Sequence, residues 1–141
     1  MPKKAQELEE LFSISYEGKE GEKAKNPEIS GFLLSQIKES ILGKKYNLSL
    51  VFTTSSKMKK LNKEFRGKDT PTDILSFPIS KTEGEIFISM NESAKEAKKF
   101  GREKINFIYF LFIHGSTHLK GFSHGSKMES EEKKQRIKFG V

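Results

Sequence analysis

Polar and apolar residues alternate from Leu11 to Tyr16 (LFSISY), the period of a half-buried strand. Residues 17–27 (EGKEGEKAKNP) have no apolar period and hold Gly18 and Gly21, so they read as a surface loop. The period then lengthens. From Pro27 to about Leu42, Phe32, Leu33, Ile37 and Ile41 share one side of a helix that Pro27 opens and Gly43 follows. Tyr46 to Thr54 (YNLSLVFTT) is β-branched and aromatic, and predicts a strand. Ser55 can cap a helix to about Arg66, with Met58, Leu61 and Phe65 on one face. Asp73–Ile79 and Glu85–Met90 predict two short strands around a turn at Gly84. Pro78, lacking an N–H, puts the first of them at a sheet edge or near its end. Asn91 can cap a helix through Phe100 that Gly101 closes.

Residues 103–120 form the next helix. Its run Phe107 to Ile113 leaves almost no polar face, which predicts a buried, central helix. A charged helix from Lys127 to Lys138 follows, with Met128 and Ile137 as its apolar contacts. The fold class is α+β, with four strands and about five helices. At 141 residues, the chain from 1 to 141 fits one domain.

Composition narrows the chemistry. Cysteine is absent, which excludes a disulfide framework, a cysteine-based zinc ribbon and thiol catalysis. The longest apolar run is far short of the ~20 residues that span a bilayer. The opening MPKKAQELEELF has lysines but no apolar stretch after them, so it is not a secretory signal, and the protein is expected in the cytoplasm. A formal charge of +7 favours an anionic partner, nucleic acid first and no membrane. Lys59, Lys60, Lys63 and Arg66 crowd one helix face, which helix statistics alone read as a solvated surface before a phosphate-holding one.

All three histidines lie in HGSTHLKGFSH, His114 to His124. His114 and His118, four apart on a helix, bring their imidazoles one turn apart on the same face. Gly121 can end the helix with positive φ and turn the chain back, so that His124 approaches from another direction. Three nitrogen ligands with one position left open is the arrangement of a catalytic zinc site. Any one of these histidines could serve packing alone; three at this spacing point to a metal. Imidazole also suits nickel, copper and iron, so zinc is the expected ion and not the only one these ligands admit. The spacing also occurs in the zinc-protease motif HExxHxxGxxH, whose glutamate is the general base. Gly115 stands at that position here and can do no acid–base work.

A second informative stretch is FRGKDTPTDILSFP, Phe65 to Pro78. Its Asp, Thr and Pro residues suit ordinary turn chemistry. Arg66, a guanidinium at a helix end beside a stiff turn, is suited to fork onto a phosphate. Together FRGKDTPTDILSFP, GEIFIS and HGSTHLKGFSH resemble, in order and spacing, the hallmark segments of the YbeY family of bacterial rRNA maturation factors. The resemblance covers most of the chain from about residue 46. Three positions depart from the family pattern: Ser123 and Glu85 stand where aspartates are usual, and Thr117 where leucine is usual. The Ser123 change removes a carboxylate that could orient a histidine.

The resemblance implies an α+β fold with a small mixed sheet. It also implies a metal-dependent, single-strand-specific endoribonuclease active in small-subunit rRNA 3′-end maturation and ribosome quality control. RNA, as rRNA precursor or small ribosomal subunit, is then the partner, with room for a protein partner as well. The metal ligands fall on His114, His118 and His124, and the functional arginine on Arg66. On this reading Arg66 and His114 are catalytic, one zinc ion is the cofactor, and Lys59, Lys60, Lys63, Arg66 and Lys68 hold RNA. The metal would polarise a phosphoryl oxygen or activate a water, and Arg66 would stabilise charge on the phosphate. Two other readings stand beside it: a non-catalytic, metal-stabilised RNA-binding module of the ribosome, and a degenerate protease-like hydrolase.

Overall fold

The computed structural model describes residues 11–141. The first ten residues, and the reading of them as free of a secretory signal, lie outside the described residues. The elements run in the order β1 (Phe12–Tyr16), α1 (Gly18–Glu22), α2 (Gly31–Ile41), β2 (Asn47–Thr53), α3 (Ser55–Arg66), β3 (Ile74–Ser80), β4 (Glu83–Ser89), α4 (Met90–Lys99), α5 (Lys104–Leu119) and α6 (Ser126–Phe139). The fold is α+β with one mixed four-stranded sheet of order β1-β2-β4-β3. β1, β2 and β4 run parallel, and β3 pairs antiparallel to β4 at the edge, where Pro78 costs no ladder bond. Among the described residues no helix is long and apolar enough to cross a membrane.

Strand alternation separates two faces. Leu48, Leu50 and Phe52 of β2 lie beside Gly84, Ile86 and Ile88 of β4, and all but the glycine join one apolar cluster with Phe107, Ile108, Leu111, Phe112 and Ile113 of α5. On the opposite face Val51, Met58 and Leu75 are buried, and Phe65 of α3 meets Phe77, which in turn meets Phe87. The sheet is thus covered on both sides. α5 contacts β3, β4, α2, α4 and α6, so its C-terminal end is held against the edge strand.

Several expectations are corrected. There are six helices among the described residues rather than about five, because Gly18–Glu22, read as loop, forms the short α1. Gly21 lets it approach the sheet, since a Cβ there would meet the Phe52 carbonyl oxygen at 2.5 Å. α2 starts at Gly31 under a Ser30 cap rather than at Pro27, and Phe32 is exposed while Leu34, Ile37, Lys38 and Ile41 face inward. Thr54 and Ser89, not Ser55 and Asn91, cap α3 and α4, accepting from the Lys57 and Glu92 N–H groups. Gly84 lies inside β4, with the turn at Lys81 and Thr82. Phe65 and Ile137 are exposed, and the buried face of α6 is Met128, Glu132 and Gln135.

Candidate metal centre

α5 carries His114 and His118, but His124 lies past its end, in the loop before α6, so the helix does not carry all three. Gly121, at φ 111°, makes the expected turn, and Gly125, at φ 147°, makes a second one just before α6. Ring centroids lie 4.7 Å apart for His114–His118 and His118–His124, and 5.7 Å for His114–His124. One nitrogen of each ring lies within 4.8 Å of the others, close enough for small side-chain rotations to bring all three onto one ion. His114 and His118 are half-buried and His124 exposed, so the cluster is open on one side.

A group that sequence reasoning missed orients the first ligand. The carboxylate Oε1 of Glu132 lies 2.6 Å from His114 Nδ1. With Nδ1 engaged, Nε2 is the nitrogen free to take a metal. Glu132 is only 8% exposed and is held by the packing of α6, where the Ser40 hydroxyl of α2 donates to Gln135 Oε1 at 2.8 Å. The carboxylate lost at Ser123 is thus matched by one from a different element. A signal did exist: Met128, Glu132 and Gln135 recur at helical spacing. Two of the three are polar, so an apolar pattern passes over them.

Electrostatics favour a neutral His118. Two unit charges about 5 Å apart repel by about 3 kcal/mol at an effective dielectric of about 20, so a charged neighbour at that distance makes a proton on His118 costly. Burial, followed by His114 and His124, pushes His118 below the usual histidine value; the Phe122 backbone and Glu132 oppose this and lose. A neutral imidazole is the form that binds metal. The donor set therefore fits a metal ion: three histidines that could hold it, one oriented by a carboxylate, with a face left open.

That face is a groove of about 700 Å3 bounded by Arg66 at the end of α3, the strand segment Thr72–Pro78, and all three histidines. Gly67, left-handed at φ 68°, ends α3 there, and Asn62 Nδ2 donates to the Thr70 carbonyl at 2.9 Å to fix the following turn. Arg66 thus lines the same groove as the histidines. Lys59, Lys60, Lys63 and Lys68 are exposed and line neither this groove nor the one adjoining it. Asp73 lines both grooves; burial and then the charge of Glu96 raise its carboxyl above the usual range, against hydrogen bonds from the backbone and Thr72.

Gly115 has a packing reason. A Cβ there would meet Ser76 Oγ at 2.8 Å and Ile74 Cδ1 at 2.9 Å, so α5 can press on β3 only where a side chain is missing. The glutamate of a protease would have no room. Thr117 is equally inert toward the centre, its hydroxyl donating to the Ile113 carbonyl at 2.7 Å.

These features define an α+β protein with an open three-histidine centre able to hold a metal at the edge of a mixed sheet. Residues 14–138 match the family model described as Endoribonuclease YbeY, and the chain belongs to that family. Proteins bearing that name include one from Carboxydothermus hydrogenoformans, 34% identical over 64% of this chain and 68% of its own length. Another, from Chelativorans sp., is 36% identical over 63% of this chain and 60% of its own. A third, from Listeria welshimeri, is 34% identical over 67% of each chain. The matched region thus spans from somewhat under to just over two thirds of these relatives. A solution structure from Thermotoga maritima superposes with a TM-score of 0.61 at 27% identity, covering 91% of this chain and 88% of that one.

Proposed function

We propose that this chain is a zinc-dependent endoribonuclease that cuts single-stranded RNA during 3′-end maturation and quality control of the small ribosomal subunit, acting in the cytoplasm as one domain. The observation that carries the reading is the gathering of three imidazole nitrogens within 4.8 Å at a groove whose wall holds Arg66. Membership of a family named for endoribonuclease activity supplies the substrate class. When bound, the ion supplies Lewis acidity, drawing charge from a phosphoryl oxygen and easing ionisation of a water.

The chain's own residues divide the remaining work. His114, His118 and His124 are the ligands, and Glu132 holds His114 by Nδ1, which leaves Nε2 for the ion. Arg66 forks onto the non-bridging oxygens of the scissile phosphate, where negative charge grows in the transition state. Lys59, Lys60, Lys63 and Lys68 hold backbone phosphates beyond the groove, giving affinity without sequence reading. Removing one such transition-state donor typically costs about 100-fold or more in rate. Arg66→Ala, folded and metal-loaded, should therefore cut a single-stranded oligoribonucleotide at least about 100-fold slower than wild type. Cleavage at the wild-type rate would remove Arg66 from the mechanism.

A further inference from the structure

Two grooves meet at the histidines. The second, of about 630 Å3, shares Asp73, Ile74, His114 and His124 with the Arg66 groove and runs on between α4, α5 and α6. Its wall is aromatic. Phe100, Phe107 and Phe110 have ring centroids 5.3–5.9 Å apart, the Phe107–Phe110 pair being stacked. Phe107 is 1% exposed and belongs to the core, whereas Phe100 is 59% exposed. Phe100 sits where α4 ends, and the left-handed Gly101 makes the turn after it, so the local backbone does not require an aromatic there. The Arg102 guanidinium lies 4.3 Å from the Phe110 ring centroid and is itself held by Asn106 at 2.6 Å. Phe110 is thereby covered, and Phe100 is the ring left open to a ligand.

We propose that this second groove is a nucleobase subsite, in which the base next to the scissile phosphate stacks on Phe100. The inference rests on the endoribonuclease reading and extends it. Charge decides between base and phosphate. Away from the histidines and their ion, Glu96 and Glu129 flank the Phe100 end of the groove with Lys133 and Arg136, a balanced wall that gives a phosphodiester no net attraction and tolerates a neutral ring. Stacking accepts any base, because every base has a π face. The carboxylates can also accept from the amino groups of adenine, cytosine and guanine, which uracil lacks. The phosphate thus belongs on the Arg66 side of the histidines and the base on the Phe100 side. Both demand an unpaired strand, since a stacked duplex base cannot leave its neighbours without unstacking.

The test is fluorescence anisotropy with the full, zinc-loaded chain and labelled 2′-O-methyl single strands, their integrity checked on a gel. One strand is intact and one is abasic beside the central phosphate. Alanine replacement of a stacking aromatic weakens binding on the order of tenfold. Phe100→Ala should show that loss with the intact strand and almost none with the abasic one, while Phe100→Tyr binds like wild type. Phe32→Ala, which removes an exposed ring that lines neither groove, should change nothing. Equal binding by Phe100→Ala and wild type, or equal weakening toward both strands, overturns the subsite. So does a Phe100→Ala variant altered only in its association state, which would assign the ring to a protein contact. Wild-type binding that Arg66→Ala weakens and Phe100→Ala does not would discard the subsite alone. Absence of any binding by wild type would discard the endoribonuclease reading with it.

Discussion

Two polar clusters sit at helix ends in this molecule, and they are built to opposite ends. Around Glu20 every group has a partner. Its carboxylate accepts from Ser55 N at 2.8 Å, from Ser89 Oγ at 2.5 Å and from Asn91 N at 3.2 Å, which serves the otherwise free N–H groups at the starts of both α3 and α4. Ser55 and Ser89 are further tied to Glu92. Around His114 the same number of side chains converge with one firm partner, Glu132, and imidazoles of like charge tendency face one another. The first cluster spends its hydrogen bonds on the fold. The second gathers three imidazoles beside an open groove, where their nitrogens are available to a metal ion. Convergence of metal-binding nitrogens on open space is what marks the site.

That contrast can be broken experimentally, and the largest effect should come from the ligands. His118→Ala is expected to lose metal affinity by more than the roughly 100-fold that loss of an orienting partner costs, read in a competitive chelator titration, as one of three nitrogens disappears. Its metal-free form should lose no more than about 1 kcal/mol in urea unfolding, the usual cost of replacing a half-buried side chain. A large loss of metal-free stability would make the cluster structural after all. Next comes the orienting carboxylate: Glu132→Gln should weaken zinc binding by roughly 10- to 100-fold, measured by the same titration. Unchanged affinity would show that His114 is held by α5 alone.

Glu20→Gln should do the reverse, costing about 1–2 kcal/mol in urea unfolding through two helix starts while leaving zinc affinity at the wild-type value. The smallest effect is on pH dependence. Burial works against ionisation of Glu20, but the bonds from Ser89, Ser55 and Asn91 together outweigh it and hold its carboxyl below the usual value of 4.5. A carboxyl depressed in the folded state adds stability that is complete above its unfolded value and drains away as pH falls through the folded one. The gap in thermal midpoint between wild type and Glu20→Gln should therefore narrow in acid. A gap that stays constant would mean that the charge of Glu20 is irrelevant.

The sequence displayed the histidine centre more openly than the Glu20 cluster, for a physical reason. Ligand spacing along α5 and a glycine turn are local, so HGSTHLKGFSH reads without knowledge of the fold. The bonds of Glu20 join residues 35 to 71 positions apart, and no local pattern records them. The short α1 that carries Glu20 has no apolar period to reveal it. Strands were legible because alternation repeats every two residues, yet their order depends on pairings such as Leu50 with Ile86. Helix starts slipped by a residue or more where two capping side chains compete, as at Thr54 and Ser55. Glu132 was missed because the buried face of α6 is largely polar. Phe100 looked like a helix end and no more, since exposure is a property of the folded surface.

The most direct test of the central claim uses a single-stranded fragment spanning a small-subunit rRNA precursor 3′ end. Untreated protein, chelated protein, chelated protein with zinc restored, and His114→Ala purified in parallel are compared for cleavage. The account predicts cutting by the first and third samples and none by the other two. Binding without cleavage in every sample would contradict it and leave a metal-stabilised RNA-binding module in its place.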